Sequence, residues 1–132
     1  MSTAVAKRLE GKTIVITGAS SGIGRSCAFE FARTAPHNLK LVLTARRIDA
    51  LKEVAAKIRE EVGEGVQVLP VQLDISKPEE VKAFVSGLPE EFRDINVLVN
   101  NAYVFFFSFL TYSYIQGALA NSMFLFLVLE VW

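Results

Sequence analysis

Four short apolar runs, separated by stretches of helical spacing, organise the first hundred residues. Thr13–Thr17 (TIVIT) is β-branched and apolar on both alternating sides, the pattern of a strand buried in a parallel sheet. A glycine-rich turn follows, then a helical stretch whose inner face is predicted to be Ile23, Cys27 and Phe31, at four-residue spacing, with Pro36 closing it. Leu39–Thr44 (LKLVLT) predicts a second strand. Ile48, Leu51, Val54, Ala55, Ile58 and Val62 then keep a helical period, and Gly63 stands where a C-terminal cap belongs. Val66–Leu73 predicts a third strand. Ser76-Lys77-Pro78-Glu79 has the form of a capping box with proline in the first turn, opening a helix with the face Val81, Phe84, Val85 and Leu88. Ile95–Val99 (INVLV) predicts a fourth strand.

This alternation with short links implies an α/β fold in which right-handed crossovers return the chain to one parallel sheet with flanking helices. The pattern ends near Ala102. Residues 103 to 132 show neither a period of 2 nor one of 3.6. They hold ten of the 14 aromatic side chains and one charge, Glu130, whereas residues 1 to 102 hold the other 27 of the 28 charged side chains. Two regions are therefore expected: residues 1–102, a partial Rossmann-type α/β domain stopping after its fourth strand, and residues 103–132, an apolar, aromatic-rich C-terminal tail.

Composition narrows the function classes. The formal net charge is zero, which gives no electrostatic footprint for nucleic acid. One cysteine, Cys27, allows no internal disulfide, and no grouping of ligand residues suggests a metal. The single histidine, His37, falls in a predicted turn between Pro36 and Asn38. The first dozen residues include a basic pair but no apolar stretch behind it, so they do not resemble a signal peptide.

The chemistry-bearing motif is Thr17-Gly18-Ala19-Ser20-Ser21-Gly22-Ile23-Gly24, set between a strand and a helix. Gly18 permits the tight turn, Gly22 lets a pyrophosphate approach the backbone, and Gly24 allows helix and strand to pack closely. The N–H groups and positive dipole end of the helix suit phosphate, and Ser20 and Ser21 add hydroxyl donors. The second diagnostic position is the end of the second strand. A carboxylate there bonds the ribose 2′-OH of NAD, whereas this chain has Ala45-Arg46-Arg47 and no acid before Asp49. A guanidinium takes a 2′-phosphate in a forked, charge-assisted contact. At roughly 1.5–3 kcal/mol per hydrogen bond to a charged group, the pair would favour NADP over NAD by about tens- to hundreds-fold.

The TGxxxGxG spacing resembles the short-chain dehydrogenase/reductase family. So do LxGKTIVITGASSGIG, the Leu73-Asp74-Ile75 step and Asn100-Asn101-Ala102, over residues 9 to 102. The run Leu88–Ala102 (LPEEFRDINVLVNNA) is most similar to a subgroup that oxidises serine and related 3-hydroxy acids with NADP. The resemblance implies that Asp74 accepts from the adenine amino group and Ile75 lies along the adenine. It further implies that Asn100 and Ala102 approach the nicotinamide-side ribose, that Asn101 ties the strands together, and that the protein is cytoplasmic. In that family a serine and a Tyr-x-x-x-Lys pair carry out proton transfer, and further strands complete the sheet and the dimer contacts. Here no lysine follows Lys82, and the residues four beyond Tyr103, Tyr112 and Tyr114 are Phe107, Gln116 and Ala118. Tyr103 also stands where the family has glycine. No catalytic residue is therefore assigned, and Ser108, Ser113 and Ser122 have no basic partner that would make them catalytic.

Two expectations follow for the tail. One is a truncated or mis-spliced oxidoreductase: Ala-Tyr-Val is encodable with GTATG, an intron start in simple eukaryotes, so reading into an intron would give such a tail. The other is a dinucleotide-binding module held to a membrane, since residues 103–129 are uncharged and 20 of the 27 are hydrophobic, long enough to cross a core of about 30 Å. Gln116, Gly117 and Asn121 in its middle, and the absence of flanking basic residues, count against insertion, and a C-terminal aromatic helix packed over the incomplete sheet is the remaining form the tail could take.

Overall fold

A computed structural model describes residues 3–102; the tail expectations lie outside the described residues. The elements are α1 (Thr3–Leu9), β1 (Thr13–Thr17), α2 (Gly22–Thr34), β2 (Leu39–Ala45), α3 (Ile48–Val62), β3 (Val66–Gln72), α4 (Pro78–Phe84) and β4 (Val97–Val99). A single 3₁₀ turn, Glu90–Phe92, precedes β4.

All strand pairs are parallel, in the order β3-β2-β1-β4. β1 is central and every one of its residues is buried, as the doubly apolar TIVIT run requires. Side-chain alternation divides the core between the two sheet faces. Ile14 and Ile16, with Leu39, Leu41 and Leu43, pack under α2 and α3 against Ala28, Ala32, Leu51 and Ile58. Val15 and Val42 pack on the other face with Val81, Phe84, Leu88 and Phe92. Full burial of each such aliphatic side chain contributes roughly 1.5–3 kcal/mol, so the central strands supply the strongest apolar anchoring in the sheet.

The helix boundaries follow local chemistry. α2 ends at Thr34, one residue before the Ala35 cap and two before Pro36. α3 ends on Gly63 at φ 84°, whose N–H returns to the Arg59 carbonyl. On the solvent side, Arg33 of α2 forks onto Glu61 of α3 at 2.7 and 3.1 Å and also meets Glu30 at 3.0 Å. Exposed pairs of this kind are screened by solvent and contribute little to stability. At the outer edge, Arg59 donates to the Val68 carbonyl of β3 at 3.1 Å. Pro70, which has no N–H to give, is tolerated because β3 has β2 as its one sheet neighbour among the described residues.

Several expectations are corrected. The buried face of α2 is Gly24, Ala28, Phe29 and Ala32. Ile23 is exposed, and Cys27 and Phe31 pack only partly against the core. The helix lies so close to the sheet that Gly24, Ala28 and Ala32 fit directly beneath it, while the Phe29 ring lies under the Arg25 and Arg33 guanidinium groups. The capping box at Ser76 does not form: the N-cap is Lys77, without a side-chain cap. Ser76 instead spends both its N–H and its hydroxyl on Asp74 Oδ1, at 3.0 and 2.6 Å. β4 is shorter than Ile95–Val99 because the Asn96 side chain, not a strand carbonyl, accepts the Thr13 N–H at 2.9 Å. The N-terminal helix α1 was not foreseen, whereas His37 is exposed in its turn as expected.

The close approach of α2 is tested at Gly24, where an added Cβ would overlap the Gly18 carbonyl and crowd the Asn101 amide. Gly24→Ala is expected to lower stability by roughly 1–3 kcal/mol. Urea unfolding measures this, and an unchanged midpoint would mean that the helix stands further from the strand.

Candidate dinucleotide site

At the carboxyl ends of the strands the sheet order reverses between β1 and β4, the position where open parallel sheets form a ligand crevice. A cleft of about 760 Å³ lies there. Its floor and near wall come from the β1–α2 turn, the end of β2, the β3–α4 turn and the residues after β4.

The β1–α2 turn is shaped by two left-handed glycines, Gly18 at φ 65° and Gly22 at φ 58°. They differ in their surroundings. A Cβ on Gly18 would press on Ala102 at 3.1 Å, whereas one on Gly22 would meet nothing within 4 Å. Gly18 is thus fixed by packing, while Gly22 borders open space above the first turn of α2. Ala19 anchors the turn from beneath, its N–H donating to the Thr44 carbonyl at 3.0 Å.

Thr17 joins this turn to the end of β4. Its hydroxyl oxygen accepts from the N–H groups of Asn101 and Ala102, both at 3.0 Å, and its proton is directed at Asn100 Oδ1 at 3.3 Å. The Asn101 side-chain amide donates to the carbonyls of Thr17 and Gly18, at 3.3 Å each. Asn101 therefore ties the strand ends together, and Asn100 is buried behind them.

The far end of the cleft is built from two turns held against one another. The Leu73 N–H donates to the Ala45 carbonyl at 3.0 Å, and Gln72 Nε2 donates to the Arg46 carbonyl at 3.0 Å. Arg46 and Arg47 are exposed on this wall, and neither forms a salt bridge among the described residues. The Ser76 hydroxyl, foremost, and the Ser76 N–H hold the Asp74 carboxyl below its ordinary range, with Lys77 and Arg46 adding to the shift. Asp74 is accordingly an ionised acceptor at neutral pH. Ile75 is buried beside it.

Of the residues singled out from sequence, Gly18, Ser20, Ser21, Arg46, Arg47, Asp74, Ile75, Asn101 and Ala102 line one cleft. Gly22, Ile23, Gly24 and Asn100 are not among its lining residues: Gly24 serves the helix–strand contact, and Asn100 lies behind the wall. Thr17, Thr44 and Ser76 were missed. Thr17 was part of the recognised motif, but its hydroxyl role depends on residues more than 80 positions away. Thr44 lines the cleft, and its buried hydroxyl has no hydrogen-bond partner among the described residues, an arrangement that normally costs stability unless something else supplies the bond. Among the described residues no group of side chains suits a metal ion.

Comparison with known proteins gives a family-model match to short chain dehydrogenase over residues 12–116, running beyond Ala102. An NADP-dependent 3-hydroxy acid dehydrogenase of Schizosaccharomyces pombe is 50% identical over 95 residues, 72% of this chain and 35% of that protein. Estradiol 17-beta-dehydrogenase 11 of Rattus norvegicus is 43% identical over 96 residues, 73% of this chain and 30% of that protein. The matched region thus spans about a third of these relatives' length. Among solved structures, L-sorbose reductase from Gluconobacter frateurii complexed with NADPH and L-sorbose superposes with a TM-score of 0.72 at 30% identity, covering 84% of this chain and 48% of that one. A metagenomic short-chain oxidoreductase in complex with NADP gives 0.63 at 33% identity, covering 73% and 41%.

The Thr17 junction can be tested by removing its hydroxyl at nearly constant volume. Thr17→Val leaves the Asn101 and Ala102 N–H groups without that acceptor and is expected to cost roughly 1–3 kcal/mol, while Thr17→Ser retains most of the stability. Chemical denaturation of the two variants measures the difference; equal stability would remove the hydroxyl from its organising role.

Proposed function

The chain belongs to the short chain dehydrogenase family, and from that premise we propose that residues 12–102 bind NADP in preference to NAD. The observation that carries this reading is the pair Arg46 and Arg47 on the wall of the cleft, without salt-bridge partners among the described residues and with no carboxylate at the end of β2. The rest of the cleft fits the same ligand. The open space above Gly22 admits a pyrophosphate to the backbone. Ser20 and Ser21 offer hydroxyls beside it, and Thr44 has a buried hydroxyl still to be satisfied. Asp74 accepts from the adenine amino group, with Ile75 against the base, and Ala102 borders the nicotinamide-side ribose with Asn100 buried behind it.

When bound, NADP supplies hydride chemistry on a hydroxy or keto substrate, for which 3-hydroxy acids are the class best supported by the likeness to the yeast enzyme. These 132 residues contain no Tyr-x-x-x-Lys pair to exchange the substrate proton. We therefore assign them cofactor binding without turnover. The alternative of a membrane-attached binding module rests on residues 103–129, outside the described residues; among the described ones no helix is long and apolar enough to cross a membrane.

Calorimetric or fluorescence titration is expected to give tighter binding of NADP than of NAD by at least about tenfold, and Arg46→Ala with Arg47→Ala is expected to narrow the difference. Tighter binding of NAD would overturn the role given to the arginines. With NADP and 3-hydroxy acids, absorbance of the reduced nicotinamide is expected to stay at the level of a protein-free blank. Turnover that survives repeated purification would mean that another group transfers the proton, with Tyr112 and Tyr114 the first to replace.

A further inference from the structure

The β3–α4 turn contains a carboxylate that the cofactor reading does not use. Glu80 is the third residue of α4, and its side chain reaches back six positions to accept the Asp74 N–H through Oε2 at 2.8 Å. Its other oxygen lies 3.6 Å from Lys77 Nζ. The bond is short and charge-assisted, the type that orients a loop most firmly. It also passes over the N-cap, Lys77, where a carboxylate at this helix position would ordinarily bond.

Asp74 is thus fixed from two sides. Ser76 engages its side chain at Oδ1, and the Asp74 carbonyl accepts the Lys77 N–H at 3.0 Å. Its own N–H has Glu80 as acceptor. Without Glu80 that N–H loses its partner, and the backbone on which the Asp74 carboxylate is mounted can rotate. The Ser76 contacts would travel with the carboxylate, because they are local to the turn, and so cannot hold its direction relative to the sheet.

We infer that Glu80 is the positioning residue for adenine recognition: by holding the Asp74 N–H, it sets the direction in which the Asp74 carboxylate meets the adenine amino group. Glu80 does not itself touch the cofactor. The inference rests on the NADP-binding reading above, and the test separates the two.

The probes are NADP and its purine analogue, in which hydrogen replaces the adenine amino group, so that the base keeps its ring acceptors but has no N–H to donate to Asp74. Titrated into the full 132-residue chain, NADP is expected to bind about tenfold more tightly than the analogue. In Glu80→Ala this ratio falls towards one, because NADP weakens while the analogue does not. In Glu80→Gln, which keeps an acceptor oxygen, the ratio is largely restored. A merely structural role would weaken both ligands together and leave the ratio unchanged, and that result would overturn the inference. An unaltered chain that binds neither ligand would remove the NADP-binding reading itself, and the inference with it. Equal binding of both by the unaltered chain would leave NADP binding standing but deny Asp74 its adenine contact. Amide hydrogen exchange covers the case in which Glu80→Ala fails to fold. In the unaltered chain the Asp74 N–H is expected to exchange more slowly than the exposed N–H groups of neighbouring turns, and unprotected exchange would overturn the inference.

Discussion

The Gly24 backbone lies against the Gly18 carbonyl with no room for a side chain between them, and the Asn101 amide fills the adjoining space by donating to the Thr17 and Gly18 carbonyls. This contact determines how low the first turn of α2 sits over β1. Because the helix is low, small residues, Gly24, Ala28 and Ala32, stand directly over the sheet, with Phe29 beside them. For the same reason the glycine turn lies level with the ends of β2 and β3, so that one ligand can reach from the helix N-terminus to Arg46 and Asp74. The cleft is the space left by that packing.

The remaining walls are positioned by hydrogen bonds along the turns together with the apolar packing of Leu73 and Ile75. Leu73 to Ala45, Gln72 to Arg46 and Asp74 to Glu80 form a sequence of donors and acceptors along the strand ends. Each contributes modestly to stability. Their direction matters more, since the arginines and the aspartate are useful only where a phosphate and a base can meet them together. The apolar core beneath supports this arrangement without specifying it.

Much of this was legible in sequence wherever local pattern and tertiary demand coincide. The doubly apolar TIVIT run, the glycine spacing, Gly63 at a helix end and the Arg46-Arg47 pair all carry their meaning within a few residues. Where a long-range partner decides, the local pattern misleads. Ile23 has the right period for an inner face, but the depth of the helix, set at Gly18, turns it to solvent. Ser76 has the right spacing for a cap, but a carboxylate two residues earlier competes for its hydroxyl and wins. Asn96 shortens β4 through a side-chain bond to Thr13, 83 positions away, and Thr17 organises Asn101 and Ala102 across a similar distance. No local pattern encodes these.

The two flanks of the sheet are not equivalent. On β3, Pro70 withholds a donor and Arg59 occupies a carbonyl, so that flank is a poor template for another strand. β4, three residues long and bonded to β1, ends directly at Asn100. The sheet therefore has a growth direction, away from the adenine side and towards the ribose side. Any strand that this architecture recruits, from whatever source, would be received beside the wall that Asn101 and Ala102 form, making completion of the sheet and enclosure of the ligand a single structural event.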